Sequence, residues 1–222
     1  MSAPSAERRA RGYWTGRGGY ADAQAPSARA FAHPKAALIA ETLGLRGDEP
    51  LLDVGAGTGH LTEAFRERGH AVLALDASAG MLARNPAPVR LLADAARLPF
   101  PDGAFALAVE ANLLHHVPDP VAVLREMARV SRLGVACIEP NRNHPPMFLF
   151  SLLVKEERPG LRFTRRHLAR LAAAAGLAPV KLVSTGWVYQ NRTPAAVARW
   201  LGRRNGACAL AAYLVGVFRK AR

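Results

Sequence analysis

The sequence predicts an α/β fold: a largely parallel sheet covered by helices on both faces. Three observations carry this reading. Short apolar runs alternate with mixed segments of helix length between residues 51 and 138, the pattern of strands buried on both sides. The run LLDV, residues 51–54, passes directly into Gly55, Gly57 and Gly59, as when a strand turns tightly into a helix beneath a ligand. A carboxylate, Asp76, then closes the next apolar run, AVLALD.

Taken in order, the strands expected are Leu51–Val54, Ala71–Leu75, Val89–Leu92, Phe105–Val109, Val135–Ile138, Val180–Val188 and Ala209–Phe218. The first five are short and apolar. The last two are longer and less uniformly apolar, which suits a sheet edge. His60–Arg68 and Pro120–Arg132 supply helices between strands. In Thr164–Ala175, Thr164 can cap a helix whose stripe is Leu168, Leu171, Ala172 and Ala175, with Arg166 and Arg170 opposite. A further helix, Ala195–Arg204, is expected to turn Val197 and Leu201 inward and Arg199 and Arg203 outward. Residues 1–30 show little periodicity before a helix begins at Phe31–Leu43. We therefore expect an N-terminal arm and lid helix over 1–44, then one domain over 45–222 with a substrate-side insertion near 140–163.

The chain has 222 residues, half of them hydrophobic, enough for one well-cored domain. Its two cysteines, Cys137 and Cys208, lie in apolar or alanine-rich runs. They read as buried or inert thiols, so neither a disulfide nor a metal cluster is expected. No apolar stretch reaches the roughly 20 residues that span a bilayer, and the first residues lack a secretory signal's apolar core. A soluble, cytoplasmic protein is expected. The net charge of +13 is one-sided: all 17 acidic residues lie in 1–157, whereas 158–222 holds 13 basic residues and no acid. Such a field suits an anionic partner, whether nucleic acid, a phospholipid surface or an acidic substrate. Composition alone offers a plainer account, since 26 of the 30 basic residues are Arg and no run exceeds RR.

The glycine turn narrows the ligand. The dinucleotide fingerprint G-x-G-x-x-G would need glycine at position 60, where His60 stands. Glycine turns also serve simply to pack a helix on a strand. Asp76, however, follows Gly55 by 21 positions, where a carboxylate can accept both ribose hydroxyls of a nucleoside. After the third strand, Asp94 can take an adenine amine while the backbone N–H of Ala95 meets a ring nitrogen. Three strand ends would then each hold one piece of an adenosine.

LLDVGAGTGHL, LALDAS, ADAARLPFPDGAFALAVEANLLHHVPDP, IEPN and FTRRHLARLAAAAGL together resemble the class I S-adenosylmethionine-dependent methyltransferases. The likeness is to the small-molecule branch that includes the ubiquinone and menaquinone methyltransferases, and it covers about residues 45–218. It implies a Rossmann-like, seven-stranded, mostly parallel sheet of order 3-2-1-4-5-7-6, the last strand antiparallel, with helices on both faces. It implies S-adenosyl-L-methionine as cofactor and S-adenosyl-L-homocysteine as product. By the same resemblance, Asp53, Gly55, Ala56 and Gly57 would line the methionine part. Asp76 and Ala77 would hold the ribose, Asp94 and Ala95 the adenine. Glu110 and Ala111, just past the fourth strand, would offer backbone groups to the cofactor amine.

Methyl transfer from a sulfonium is an in-line displacement, so rate comes from holding the acceptor at near-attack distance in a dry site. An oxygen acceptor must also lose a proton, and His115 and His116, beyond the fourth strand, are candidates for that base. The run MFLFSLLV, residues 147–154, reads as core or as a wall against a lipophilic acceptor, with Phe148 on it. Asn141 and Arg142 would make polar contacts at its mouth, and Trp187 and Tyr189 would help close the site. The expected function is methylation of a small, largely apolar acceptor, most simply at oxygen. An RNA methyltransferase is one alternative, and a cofactor-binding protein of cyclase-like or sensing function is the other.

Overall fold

The computed structural model of the chain describes residues 20–204 and 206–221. Seven strands form one sheet: β1 Pro50–Val54, β2 Ala71–Asp76, β3 Val89–Leu92, β4 Phe105–Ala111, β5 Ser131–Pro140, β6 Leu177–Thr185 and β7 Tyr213–Lys220. Their order is β3-β2-β1-β4-β5-β7-β6. The first five pair in parallel, whereas β7 runs antiparallel to both β5 and β6. The expected order and the antiparallel closing strand are both present.

The helices are α1 Pro26–Leu43, α2 His60–Arg66, α3 Ala79–Leu82, α4 Pro120–Val130, α5 Pro145–Leu153, α6 Arg165–Ala174 and α7 Ala195–Leu201. Two 3-10 segments, Leu114–His116 and Lys155–Arg162, complete the described elements. The strand period of two divides the core. Leu52, Val54 and Ala108 face a cluster containing Leu124 and Met127 of α4 and Leu168 and Ala172 of α6. Leu51, Leu107 and Val109 face the other side, with Phe31 and Ile39 of α1 and Leu61 and Phe65 of α2. Because β1 and β4 are apolar on both faces, each side can carry a helical layer.

Several boundaries differ from expectation for local reasons. Helix α1 begins at Pro26 rather than Phe31, since proline suits a first turn and the small Ser27 and Ala28 are buried there. Strand β6 ends at Thr185 because Gly186 adopts a φ of 80°, so Trp187 and Val188 lie outside it. Strand β7 begins at Tyr213, four residues later than expected, after a turn over residues 209–212. On α7, Ala198 is the buried residue and Val197 is exposed against expectation, whereas Leu201 is half-buried and Arg199 and Arg203 are exposed as expected. Cys137 is buried, but Cys208 is exposed, so only one of the two thiols is a core residue. Residues 1–19 of the expected arm lie outside the described residues.

The expected cap of α6 is present: the Thr164 hydroxyl accepts the His167 N–H at 3.1 Å. Thr164→Ala should lower stability by about 1 kcal/mol, read as a shift of the urea midpoint at unchanged slope.

Candidate active site

The parallel strands bring their carboxyl ends to one rim of the sheet, over which lies a cavity of about 1050 Å³. The last two glycines of the turn serve different ends. Gly57, at φ 52°, lines the cavity, and a Cβ there would meet nothing nearer than Met81 Cε at 4.0 Å. Its backbone is thus bared toward whatever occupies the cavity. Gly59 lies at φ 89°, where a Cβ would collide with the Pro86 ring and with Asn85 at 3.0 Å. That position is required by packing rather than by a ligand. His60 also has a reason to replace the third glycine of the dinucleotide pattern. Its Nε2 lies 3.0 Å from the Ala21 carbonyl, which can only accept, so Nε2 carries the hydrogen and ties the N-terminal segment to the turn.

The expected cofactor carboxylates stand at successive strand ends. Asp53 is 2% exposed and accepts the Thr62 hydroxyl at 2.6 Å. Burial pushes its carboxyl up to about 7. Asp76 accepts the Gly57 N–H and the Ser78 N–H, each at 2.8 Å, and burial also raises its pKa. It therefore ties the glycine turn to β2 while lining the cavity. Asp94 is exposed at the cavity edge beside the buried Ala95. Ala56, Ala77 and Ala111 line it as well. Glu110 departs from its expected place. It belongs to β4 and is fully buried behind the cavity. Its Oε2 accepts the Leu113 N–H at 3.1 Å, and among the described residues its Oε1 has no hydrogen-bond partner. Burial, reinforced by Glu139, raises Glu110 well above the usual carboxylate range, favouring its protonated form.

On the other side, His115 Nδ1 lies 2.5 Å from Glu139 Oε2, and both side chains are almost fully buried. The second Glu139 oxygen accepts the Leu114 N–H at 2.7 Å. The carboxylate can only accept, so His115 Nδ1 carries a hydrogen and Nε2 points to Glu157, 3.5 Å away. His116 Nε2 lies 4.0 Å from the same Glu157 oxygen, and the two imidazole centroids are 3.8 Å apart. Burial works against a charged His115, but Glu139 and Glu157 outweigh it and hold the imidazole at about 9. His115 is thus an imidazolium at neutral pH. His115, His116 and Glu157 also bring three potential metal-ligating atoms within 4.8 Å of one another.

The expected substrate residues are dispersed. Tyr189 lines the cavity, with its hydroxyl 2.5 Å from His144 Nε2. Asn141 does not: it is fully buried, donates to the Ala209 and Ala211 carbonyls at 3.0 and 2.7 Å, and accepts the Asn143 N–H at 3.1 Å. It is a brace between β5 and the segment before β7. Arg142 is exposed and lies outside the lining, where Arg162 and Arg192 take the place foreseen for it. Phe148 is 40% exposed on the outer side of α5, while Phe150 lines the cavity. Trp187 packs against His144, centroids 5.7 Å apart, outside the lining. Lining residues with no clear sequence signal include Tyr20, Asn112, Glu157 and Tyr213. Asn112, just past β4, holds a φ of 57°, a conformation rare outside glycine and one that side chains such as Asn tolerate best.

The fold is one shared with solved S-adenosylmethionine-dependent methyltransferases, and the central part of the chain is similar to methyltransferases in sequence. Residues 52–138 match the family model described as a methyltransferase domain. The demethylmenaquinone methyltransferase of Mycolicibacterium paratuberculosis is 35% identical over 139 residues, 62% of this chain and 58% of that protein. A malonyl-[acyl-carrier protein] O-methyltransferase of Serratia marcescens is 40% identical over 90 residues, 39% of this chain and 35% of that one. This chain therefore spans less than two thirds of the first relative and about a third of the second. A methyltransferase from Thermotoga maritima, described as a possible histamine N-methyltransferase, superposes with a TM-score of 0.63 at 17% identity, over 87% of this chain and 91% of that one; it shares the fold. S-adenosyl-L-methionine is the cofactor of this class, and the residues present fit it. The bared backbone at Gly57 admits close approach, and the Asp76 and Asp94 carboxylates offer acceptors for hydroxyl and amine hydrogens. At about 1050 Å³ the cavity lies at the upper end of the roughly 300–1,000 Å³ usual for ligand pockets.

Two outcomes follow from this geometry. Gly59→Ala should cost roughly 1–3 kcal/mol of stability through overpacking. Gly57→Ala should cost only about 1 kcal/mol for its left-handed backbone, yet weaken S-adenosylhomocysteine binding at least tenfold in calorimetry. For His115, a folded pKa near 9 lies above the ordinary value of about 6.5. Its stabilising contribution is full below about 6.5 and is lost as pH rises through about 9. An NMR titration should show one imidazole, missing in His115→Gln, that remains protonated at pH 7.5 and titrates near 9.

Proposed function

We propose that the protein transfers a methyl group from S-adenosyl-L-methionine to a hydroxyl of a small, largely apolar acceptor. The observation that carries this reading is the division of one cavity into a carboxylate-lined end, at Asp53, Asp76 and Asp94, and a histidine-lined end with apolar walls, Pro146, Met147 and Phe150. Two relatives support it: the demethylmenaquinone methyltransferase a small-molecule acceptor, and the O-methyltransferase an oxygen.

Bound at the carboxylate end, the cofactor supplies an electrophilic methyl group and leaves as S-adenosyl-L-homocysteine. The chain's own residues do the rest. Asp76 fixes the glycine turn and receives ribose hydroxyls. Met147 and Phe150 hold the acceptor and exclude water. His115, already protonated through Glu139, cannot accept another proton at neutral pH. It instead orients Glu157, and His116, facing that carboxylate across 4.0 Å, takes the hydroxyl proton as the new O–C bond forms.

Calorimetry with S-adenosylhomocysteine tests the first half. Wild-type protein should bind at micromolar or tighter, and Asp76→Ala should lose at least tenfold through unpaired hydroxyls. Mass spectrometry of hydroxylated aromatic and quinol acceptors, following the gain of one methyl, tests the second. His116→Asn should reduce turnover by about 10²–10⁴ with cofactor affinity intact. Tight cofactor binding with no methylated product in any acceptor would favour the non-methylating alternative.

A further inference from the structure

Helix α5 is built the wrong way round for a helix covering a core. Its buried residues are Met147 and the polar Ser151, which packs toward Gly160. Phe148, Leu149, Leu152 and Leu153 face outward with exposures of 40, 54, 47 and 72%. Their spacing places them on one face, so four large apolar side chains form a continuous strip. Isolated exposed leucines need no explanation, but a contiguous strip of this kind marks an interaction surface.

We propose that this face of α5 docks the protein onto an anionic phospholipid bilayer, with the cavity mouth at the lipid surface. Charge complementarity selects the occupant. Close to α5 along the chain lie the exposed Arg142, Lys155, Arg158 and Arg162, and the exposed Arg192 reaches the same helix, against one exposed acid in these segments, Glu156. Two of these cations are fixed beside the helix: Arg158 Nε donates to the Leu152 carbonyl at 3.4 Å, and the Arg192 guanidinium sits 4.9 Å above the Phe150 ring. An apolar strip fringed by arginines is the surface that lies in a headgroup layer, its side chains in the acyl boundary and its cations on phosphates. Among the described residues no helix is long and apolar enough to cross a membrane, so the contact is peripheral.

The helix also forms a partition. Pro146, Met147 and Phe150 line the cavity from within, while the strip one residue away faces out. An apolar acceptor held in the bilayer would then enter past α5 without crossing bulk water. This purpose rests on the proposed apolar acceptor, but the docking is measured without any acceptor.

The experiment is flotation of the whole chain with vesicles of phosphatidylcholine alone or mixed equally with phosphatidylglycerol. Wild-type protein should float with the mixed vesicles, bind neutral ones at least tenfold more weakly, and detach as salt rises from about 0.1 M to about 1 M. The double variant Leu149→Ser, Leu153→Ser should lose binding at least tenfold while keeping wild-type affinity for S-adenosylhomocysteine, which shows it is folded. Wild-type protein that stays unbound while still binding S-adenosylhomocysteine would overturn the docking and leave the proposed function standing. Equal binding by the double variant would also overturn it. So would a wild-type dimer in sedimentation that the variant turns into a monomer, because the strip would then belong to a second copy.

Discussion

The parallel pairing of β1 between β2 and β4 is the constraint on which the rest of the molecule depends. Leu51 to Val54 register with Val72 to Leu75 on one side and with Leu107 to Glu110 on the other. Three carboxyl ends therefore finish at one level, and each delivers its own group: the glycine turn, Asp76, and the Asn112–His116 segment. Because those strands are buried on both faces, the level cannot slip without moving apolar side chains out of both helical layers. The Asp76 carboxylate turns this arrangement into a site by bonding the Gly57 N–H across two strand ends. The bond is local, yet it exists only because the register places the two residues side by side.

The histidine side rests on a different balance. Glu110 and Glu139 are both fully buried and influence one another. Two unneutralised carboxylates there would be prohibitive, since buried charges need partners. One solution is a proton on Glu110, and the other is the His115 imidazolium against Glu139. The pair therefore commits His115 to a charge-balancing and orienting task before any acceptor arrives. Its neighbour His116 is half-buried at the cavity wall, and in the proposed reaction it is the histidine that faces the acceptor. Two adjacent histidines of one type thus carry different burdens, and a single strand partner, β5, decides which.

That distinction shows what was legible in the sequence. The glycine turn, Asp76 and Asp94 could be read because their meaning is local: a strand end, a turn and a fixed interval. The sheet order was legible through the resemblance; mixed polarity suited β6 to the edge but misplaced β7, which lies buried between β5 and β6. Glu139 and Glu157 were not, because they approach His115 from 24 and 42 positions away. Asn141 looked like a mouth residue because polar residues after a strand often are. Its bonds to Ala209 and Ala211, 68 and 70 positions distant, make it a brace. Gly59 looked equivalent to Gly57, but Pro86 and Asn85 distinguish them.

The run MFLFSLLV is the instructive failure of periodicity. An almost uniformly apolar segment has no preferred face, so sequence alone cannot tell core from wall, and a wall residue such as Phe148 cannot be told from Phe150 two positions on. Placement is set at both ends, by the His144 bonds to Leu210 and Tyr189 and by the close approach of Ser151 to Gly160. These anchors rotate α5 until Met147 and Ser151 point inward and four apolar side chains point out. The same rotation gives the basic C-terminal excess a local meaning. Spread over the surface, arginines follow composition, but Arg158 and Arg192 are held against this helix by specific contacts. Arginines thereby meet an uncovered apolar face on a helix that also walls the cavity, and in the proposed docking the two features need each other: the strip alone would invite aggregation, and the arginines alone would bind any anion.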